Sequence, residues 1–492
     1  MNSYRPMTAS LIEHISRRAS HCPDDIALEG LDALSWRALD RAITRALQAL
    51  KDQPAVIGFL IRNSADWIIT DLACLKSGRV ALPLPAFFTP DQIQHALDTA
   101  GCRCVITDQP ERFGNAAPHC WPGLSATQPL TLLQWPETEP VAMPTGTAKI
   151  TFTSGSTGHP KGVCLSQAAL ERTAHALNRR MSTVAGGRHL CALPLAVLLE
   201  NVGGVYRALL ADGTVSLWPA EHLGLSGSSY FDANAFYRAL ATGRAETVIV
   251  LPHMLTALAA LRLPAPAGLR FMAVGGAPLP VATLLEARRL GYPVYEGYGL
   301  SECGSVVSLN APGIDQPGSI GKPLDHVRVR IVDDEIRVAG NPCLGYIGQP
   351  PLTEPLATGD LGRLDNDGFL HIEGRKTNRI VTAFGRNVSP EWVETALLAQ
   401  PGIRQCFVTG HGQPALGSLI LADDQHRVEA AIANANATLP DYAQIRHWCM
   451  IDRAFSVDNH CLTANGRLRR APIESRYRTQ IEQLFQTTAN TR

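Results

Sequence analysis

The 492 residues predict an α/β protein, with a large N-terminal domain of doubly wound sheets and a small α+β C-terminal domain. Three observations lead there. Short apolar runs alternate with segments of helical period up to residue 107, and the alternation resumes after residue 161. That order builds parallel sheets covered by helices. The length exceeds the roughly 250–300 residues at which single cores stop growing. Apolar residues make up 45% of the chain, ample for a large core.

The elements follow in order. Ser10-Leu11-Ile12-Glu13-His14-Ile15 opens a helix that ends near Cys22-Pro23. Ala27-Leu28-Glu29 and Ala33-Leu34-Ser35 read as the strands of a hairpin. Residues 36–50 place Leu39, Ile43, Leu47 and Leu50 on one face, the mark of a helix. Residues 55–60 are continuously apolar, as in a strand covered on both faces. A helix over 66–76, a strand over 80–84, a helix over 89–101 and a strand over 104–107 complete the first alternation. Residues 112–144 are rich in Pro, Gly and Thr and read as an irregular connection. Residues 193–201 turn through Pro194 into a helix, which is either core or pocket wall; Val197, Leu198 and Leu199 make it aliphatic. Val248-Ile249-Val250-Leu251 and Phe271-Met272-Ala273-Val274 are buried strands. Residues 335–340 form another, and Asp365-Asn366-Asp367-Gly368 is a β-turn between two more. Ser389 is placed to cap a helix begun by Pro390, with Trp392 and Val393 facing in. A strand over 406–409, a helix near 428–437 and a closing segment complete the small lobe.

Composition narrows the function. Lys and Arg number 44 and so do Asp and Glu, with no basic or acidic block, which argues against nucleic acid as the main partner. The twelve cysteines are scattered, mostly in apolar contexts such as Cys74, Cys164, Cys191 and Cys406. Cys102-Arg103-Cys104 lacks the spacing of a zinc half-site, so reduced thiols in a cytosolic protein are expected. No apolar run approaches the ~20 residues of a membrane span, and the first residues hold no signal core. The expectation is a soluble, cytoplasmic protein.

One stretch carries chemistry on its face. After Lys149-Ile150, the run Thr151-Phe152-Thr153-Ser154-Gly155-Ser156-Thr157-Gly158-His159-Pro160-Lys161-Gly162 alternates hydroxyls with glycines. Such a loop exposes backbone N–H groups that wrap phosphate oxygens, and Lys161 adds a positive charge. It is not a Walker A loop, because no Ser or Thr follows the lysine. A plain polar turn would need neither the three glycines nor a lysine beside the hydroxyls.

This run resembles the phosphate loop of the acyl-adenylate-forming, AMP-binding superfamily, and the chain resembles its acyl-CoA synthetases and fatty acid–CoA ligases most closely. The resemblance implies an adenylation domain over residues 1–376 and a mobile, swinging domain over 377–492, hinged at Thr377. It implies ATP, Mg²⁺ and a small carboxylate as reactants, with coenzyme A as acceptor; a carrier-protein phosphopantetheine or an amine is the alternative. Thr153, Ser154, Gly155, Ser156, Thr157 and Gly158 would hold phosphates. Gly275, Gly276 and Ala277 would border adenine and the acyl pocket. In Glu296-Gly297-Tyr298-Gly299-Leu300-Ser301-Glu302, Tyr298 would stack on adenine, Ser301 would contact phosphate and Glu302 would hold Mg²⁺. Asp360 would take the ribose hydroxyls, and Arg375 the ribose or the α-phosphate.

Three positions depart from the pattern: Val197, where the resemblance implies an aromatic residue or His; Thr377, where it implies Asp or Lys; and, bearing most on catalysis, Arg467. In Thr463-Ala464-Asn465-Gly466-Arg467, Arg467 stands where the resemblance implies a lysine that bridges the acyl carboxylate and the α-phosphate. The chain has no lysine beyond Lys376 to replace it. Arginine keeps the charge and grips phosphate bidentately, but it is longer and planar. With Lys161, Glu302, Asp360 and Arg375 in place, Arg467 is expected to do the lysine's work at reduced rate; the other readings are a protein specialised for the second step and a catalytically impaired nucleotide-binding homologue.

Overall fold

A computed structural model describes residues 9–31, 33–114, 117–121, 129–136, 141–153, 161–184, 186–226, 230–352, 354–463 and 466–486. Local signals set the first elements. Ser10 accepts from the Glu13 N–H and the Glu13 carboxylate accepts from the Ser10 N–H, a reciprocal cap that starts helix Leu11–His21. Ser35 caps helix Trp36–Leu50, and Ser64 caps helix Ala65–Ser77, which ends on Gly78 at φ +70°.

Two large sheets form the N-terminal domain. The first has the order Gly345–Tyr346, Lys161–Leu165, Lys149–Thr153, Val80–Pro83, Val56–Leu60, Cys104–Thr107, Leu130–Gln134, Ala117–Trp121. Its centre is parallel and buried, as the unbroken apolar run of Val56–Leu60 requires. The second sheet holds nine strands, and six of them lie parallel: Val294–Leu300, Phe271–Val274, Thr247–Val250, Arg188–Leu190, Thr214–Leu217 and Ile26–Gly30. A four-stranded antiparallel sheet follows, in the order Arg328–Val332, Glu335–Ala339, Leu356–Leu364, Leu370–Arg375. The C-terminal lobe packs helices Pro390–Leu398 and Gln425–Ala437 on strands Ile403–Thr409, Leu416–Ala422 and Ile445–Met450.

A buried ion pair ties three elements of the large domain together. Lys149 Nζ lies 2.7 Å from Asp71 Oδ1 and donates to Asn201 and to the Tyr206 hydroxyl, which in turn donates to Asp71 at 2.7 Å. Both charges are almost fully buried, and burial lowers the Lys149 pKa.

Three expectations need correction. Residues 112–144 are not wholly irregular: Ala117–Trp121 and Leu130–Gln134 pair as antiparallel strands on Cys104–Thr107. The Leu130-Thr131-Leu132-Leu133 run was the signal. Ser389 holds the cap position but its oxygen accepts no backbone N–H; the hydroxyl is turned to donate to the Glu391 carboxylate at 2.9 Å. Val393 is buried as expected, whereas Trp392 is 42% exposed and lines the large cavity.

Candidate active site

The strand ends and the C-terminal lobe enclose a cavity of about 2470 Å³. That exceeds the roughly 300–1,000 Å³ of an ordinary ligand pocket, so it has room for several reactants side by side. Lys161, Tyr298, Glu302, Asp360, Arg375 and Arg467 all line it, although they come from five separated segments.

The hairpin Lys149–Thr153 and Lys161–Leu165 brings Lys161 to the rim, where Thr153 pairs with it across the ladder. Ser154, Gly155, Ser156, Thr157 and Gly158 lie outside the described residues, as does the side chain of Thr153. Strands Phe271–Val274 and Val294–Leu300 run side by side, which sets Gly275, Gly276 and Ala277 next to Glu296, Gly297 and Tyr298 on the wall. The glycines are needed by packing. A Cβ on Gly275 would fall 2.9 Å from the Gly297 carbonyl oxygen, and one on Gly299 would fall 1.8 Å from that of Ser305. Ser301 and Glu302 occupy the single 3₁₀ turn that follows.

Asp360 is the junction of the nucleotide side. Gly359 takes φ +72° just before it, and Oδ2 accepts from the Tyr298 hydroxyl at 2.6 Å. Oδ1 pairs with Arg375 Nε at 2.6 Å on the neighbouring strand. Both oxygens expected to receive ribose hydroxyls therefore already hold partners, with lone pairs to spare. Burial and the neighbouring Asp360 push the Tyr298 phenol well above its ordinary range. Glu296 is buried too, which lifts its carboxyl to about 7; its partner is the Gly318 N–H at 3.4 Å.

Tyr346 was missed by sequence reasoning. Its hydroxyl donates to Glu302 Oε1 at 2.9 Å, and Lys161 Nζ lies 5.5 Å from its ring centroid. The two-residue strand Gly345–Tyr346 pairs with Lys161–Leu165, and that places the ring between the two charges. The signal was the run Gly345-Tyr346-Ile347-Gly348, to which the sequence alone gave no task.

Arg467 reaches the same place from the other domain. Its Nε donates to the Gly276 carbonyl at 2.5 Å. Desolvation lowers its pKa first, and Arg375 adds to that, while Asp360, Tyr298 and Glu302 oppose it. Lys161, Arg375 and Arg467 thus border one cavity with Asp360 and Glu302, among other lining residues of both charges. Such a site suits a polyanion and a hard cation.

Fold and site together define a class: parallel sheets beside a smaller α+β lobe, with a large cavity lined by charged residues from both. The AMP-binding enzyme family matches residues 15–347, and the C-terminal domain of AMP-binding enzymes matches residues 377–489. The chain belongs to the AMP-binding enzyme family. It is 30% identical over 441 residues to a feruloyl-CoA synthase of Amycolatopsis sp, across 82% of this chain and 86% of that protein. It is 31% identical over 292 residues to a 2-succinylbenzoate–CoA ligase of Bacillus velezensis; that match spans 56% of this chain and 58% of the relative. Among solved structures, o-succinylbenzoate CoA synthetase from Bacillus subtilis with its acyl-adenylate superposes with a TM-score of 0.77 at 23% identity, over 93% of this chain and 97% of that one. An anthranilate CoA ligase with anthranoyl-AMP gives 0.80 at 19%, over 96% and 98%. The described residues hold no helix long and apolar enough to cross a membrane.

Proposed function

We propose that the protein is an ATP-dependent acid–thiol ligase that activates a small carboxylic acid as its acyl-adenylate and passes the acyl group to coenzyme A. The observation that carries this reading is the convergence of Lys161, Arg375 and Arg467 on one cavity beside Glu302 and Asp360. The names of the feruloyl-CoA synthase, the 2-succinylbenzoate–CoA ligase and the o-succinylbenzoate CoA synthetase support it.

In the first half-reaction a carboxylate oxygen bonds to the α-phosphorus of ATP, and the bond from that phosphorus to the leaving pyrophosphate breaks. The chain's task is to hold two anions together and offset their charge. Lys161 and the loop at 153–158 take the β- and γ-phosphates. Arg467 spans the acyl carboxylate and the α-phosphate, with its Nε anchored on Gly276. Tyr298 stacks on adenine, Asp360 and Arg375 hold the ribose, and Gly275, Gly276, Ala277, Glu296, Gly297, Gly299 and Ser301 shape the nucleotide wall. The donor set fits magnesium. Glu302 spends Oε1 on Tyr346, and its other oxygen makes no hydrogen bond among the described residues. One hard carboxylate suits an ion that keeps its waters and phosphate oxygens. Bound there, the ion would supply charge neutralisation to the pyrophosphate.

Thioester formation follows when the domain at 377–492 swings about Thr377 and withdraws Arg467 from the adenylation domain at 1–376. The thiol sulfur bonds to the acyl carbon, the bond from that carbon to the AMP oxygen breaks, AMP leaves and the thiol proton passes to water. Residues 376–378 form one 3₁₀ turn between the lobes, a short element able to absorb the rotation. We place the enzyme in the cytoplasm. The acceptor is tested by supplying an activated acid with coenzyme A, a phosphopantetheinylated carrier protein or an amine, and following product by mass spectrometry. Acyl-CoA should dominate; product only with the carrier or the amine would replace coenzyme A in this reading.

A further inference from the structure

Past Val197, Leu198 and Leu199, the cavity wall also includes His189, Thr247 and Arg207, a polar group that adenylation leaves without a task. His189 and Thr247 sit on neighbouring parallel strands. Glu200 and Arg207 flank six residues, Asn201–Tyr206, that wind as a π-helix. Such wide turns recur at functional sites.

The four side chains form one relay. Glu200 accepts from the Leu193 N–H at 2.8 Å and lies 2.7 Å from His189 Nε2. An ionised Glu200 makes His189 Nε2 the donor, and Nδ1 then accepts from the Thr247 hydroxyl at 2.9 Å. Thr247 Oγ1 in turn accepts from Arg207 Nη2 at 3.2 Å. This assignment, made from the network, leaves a neutral imidazole between one negative and one positive end. Gly204 makes room for it: a Cβ there would fall 2.3 Å from Glu200 Oε1 and 2.4 Å from His189 Nε2. His189, Cys191 and Glu200 also resemble a metal triad, but the His189–Glu200 bond and the Leu193 N–H already engage them.

The relay ends in an unmet donor. Arg207 is 1% exposed, and its Nη1 has no hydrogen-bond partner among the described residues. Burial lowers its pKa to about 10. A buried N–H without an acceptor is costly, and this residue lies on a cavity wall. We propose that Arg207 is the specificity residue of the acyl site: its Nη1 donates to a neutral oxygen, a phenol, ether or ketone, at the end of the acid remote from the reacting carboxylate. A neutral acceptor fits because the relay is already balanced in charge. A second carboxylate would leave a net negative charge in a buried site. A wholly aliphatic acid would leave the donor unmet.

The inference rests on the carboxylate-activating reading above, so its test measures binding as well as turnover. Near-isosteric pairs are compared: para-hydroxy with para-methyl phenylpropenoic acid, and a keto acid with its methylene counterpart, with the para-carboxy acid as a third arm. Calorimetry gives Kd, and pyrophosphate release gives kcat/KM. Wild type should favour each neutral oxygen-bearing acid over its match by about tenfold or more. It should also favour it over the para-carboxy acid. In Arg207→Met the ratio should fall to about one, and Arg207→Lys should restore part of it. Preference for the methyl or methylene acids, preference for the carboxy acid, or a ratio unchanged in Arg207→Met would overturn the inference. Should Arg207→Met fail to fold, the wild-type ratios decide alone. Ordered binding without pyrophosphate release would uphold the role of Arg207 and sink the ligase reading; release without preference would do the reverse.

Discussion

Tyr346 sits between Lys161 and Glu302 and touches both, by its ring face and its hydroxyl. Tyr346→Phe keeps the ring and removes the hydroxyl that orients Glu302. A hydrogen bond to a charged group contributes about 1.5–3 kcal/mol, so kcat/KM for pyrophosphate release should drop roughly 10- to 100-fold, with the fold intact by circular dichroism. Unchanged kinetics would remove Tyr346 from the site. Glu296 makes a prediction about pH. Its folded pKa of about 7 lies above its ordinary 4.5, so the folded protein holds that proton more tightly. The stabilisation is full below about pH 4.5 and is lost as pH rises through 7. Glu296→Gln removes the titration. Its stability relative to wild type, from urea melts, should rise by up to about 3 kcal/mol between pH 4.5 and 7.5. Parallel profiles would contradict the burial argument. At this scale Lys161, Glu302, Asp360 and Arg375 were legible because charged residues stand out in glycine-rich runs. Tyr346 and Arg207 were not, since only the pairing of distant segments gives them a task.

Among the elements, the segment from Leu198 to Leu210 changes winding from α to π and back. It carries Asn201 and Tyr206 to the Lys149–Asp71 pair on one side and Glu200 and Arg207 to the cavity relay on the other. Removing the cation tests the first of these. Lys149→Met leaves Asp71 buried and uncompensated, which should cost about 3–5 kcal/mol in chemical denaturation. A loss under about 1 kcal/mol would contradict a stabilising role for the buried pair. Periodicity made most elements readable, from the helix over residues 36–50 to the strand over 271–274. It gave a helix near Leu198 but not its π turn, because winding depends on neighbours such as Gly204 and His189. The strand Leu130–Gln134 was hidden by the Pro- and Gly-rich sequence around it. Trp392 was misjudged because an aromatic residue can face a cavity as well as a core.

At the scale of the whole molecule, the small lobe places Arg467 in a cavity that the large lobe also lines. Arg467 enters the cavity and anchors on Gly276, which under the proposed function is the arrangement for adenylation rather than acyl transfer. Length alone argued for more than one domain, and the boundary at residue 376 came from the family resemblance. The reach of Arg467 was visible only as a departure from the expected lysine. The most direct measurement is carboxylate-dependent exchange of labelled pyrophosphate into ATP, run on wild type, Arg467→Lys and Arg467→Ala over a panel of acids. Wild type should exchange with at least one acid and not without acid. Arg467→Ala should lose about 10²–10³ of that rate, the usual toll of one preorganised charge contact at a transition state. Exchange undiminished in Arg467→Ala, or none in wild type with any acid while Arg467→Lys exchanges freely, would contradict a catalytic role for the arginine.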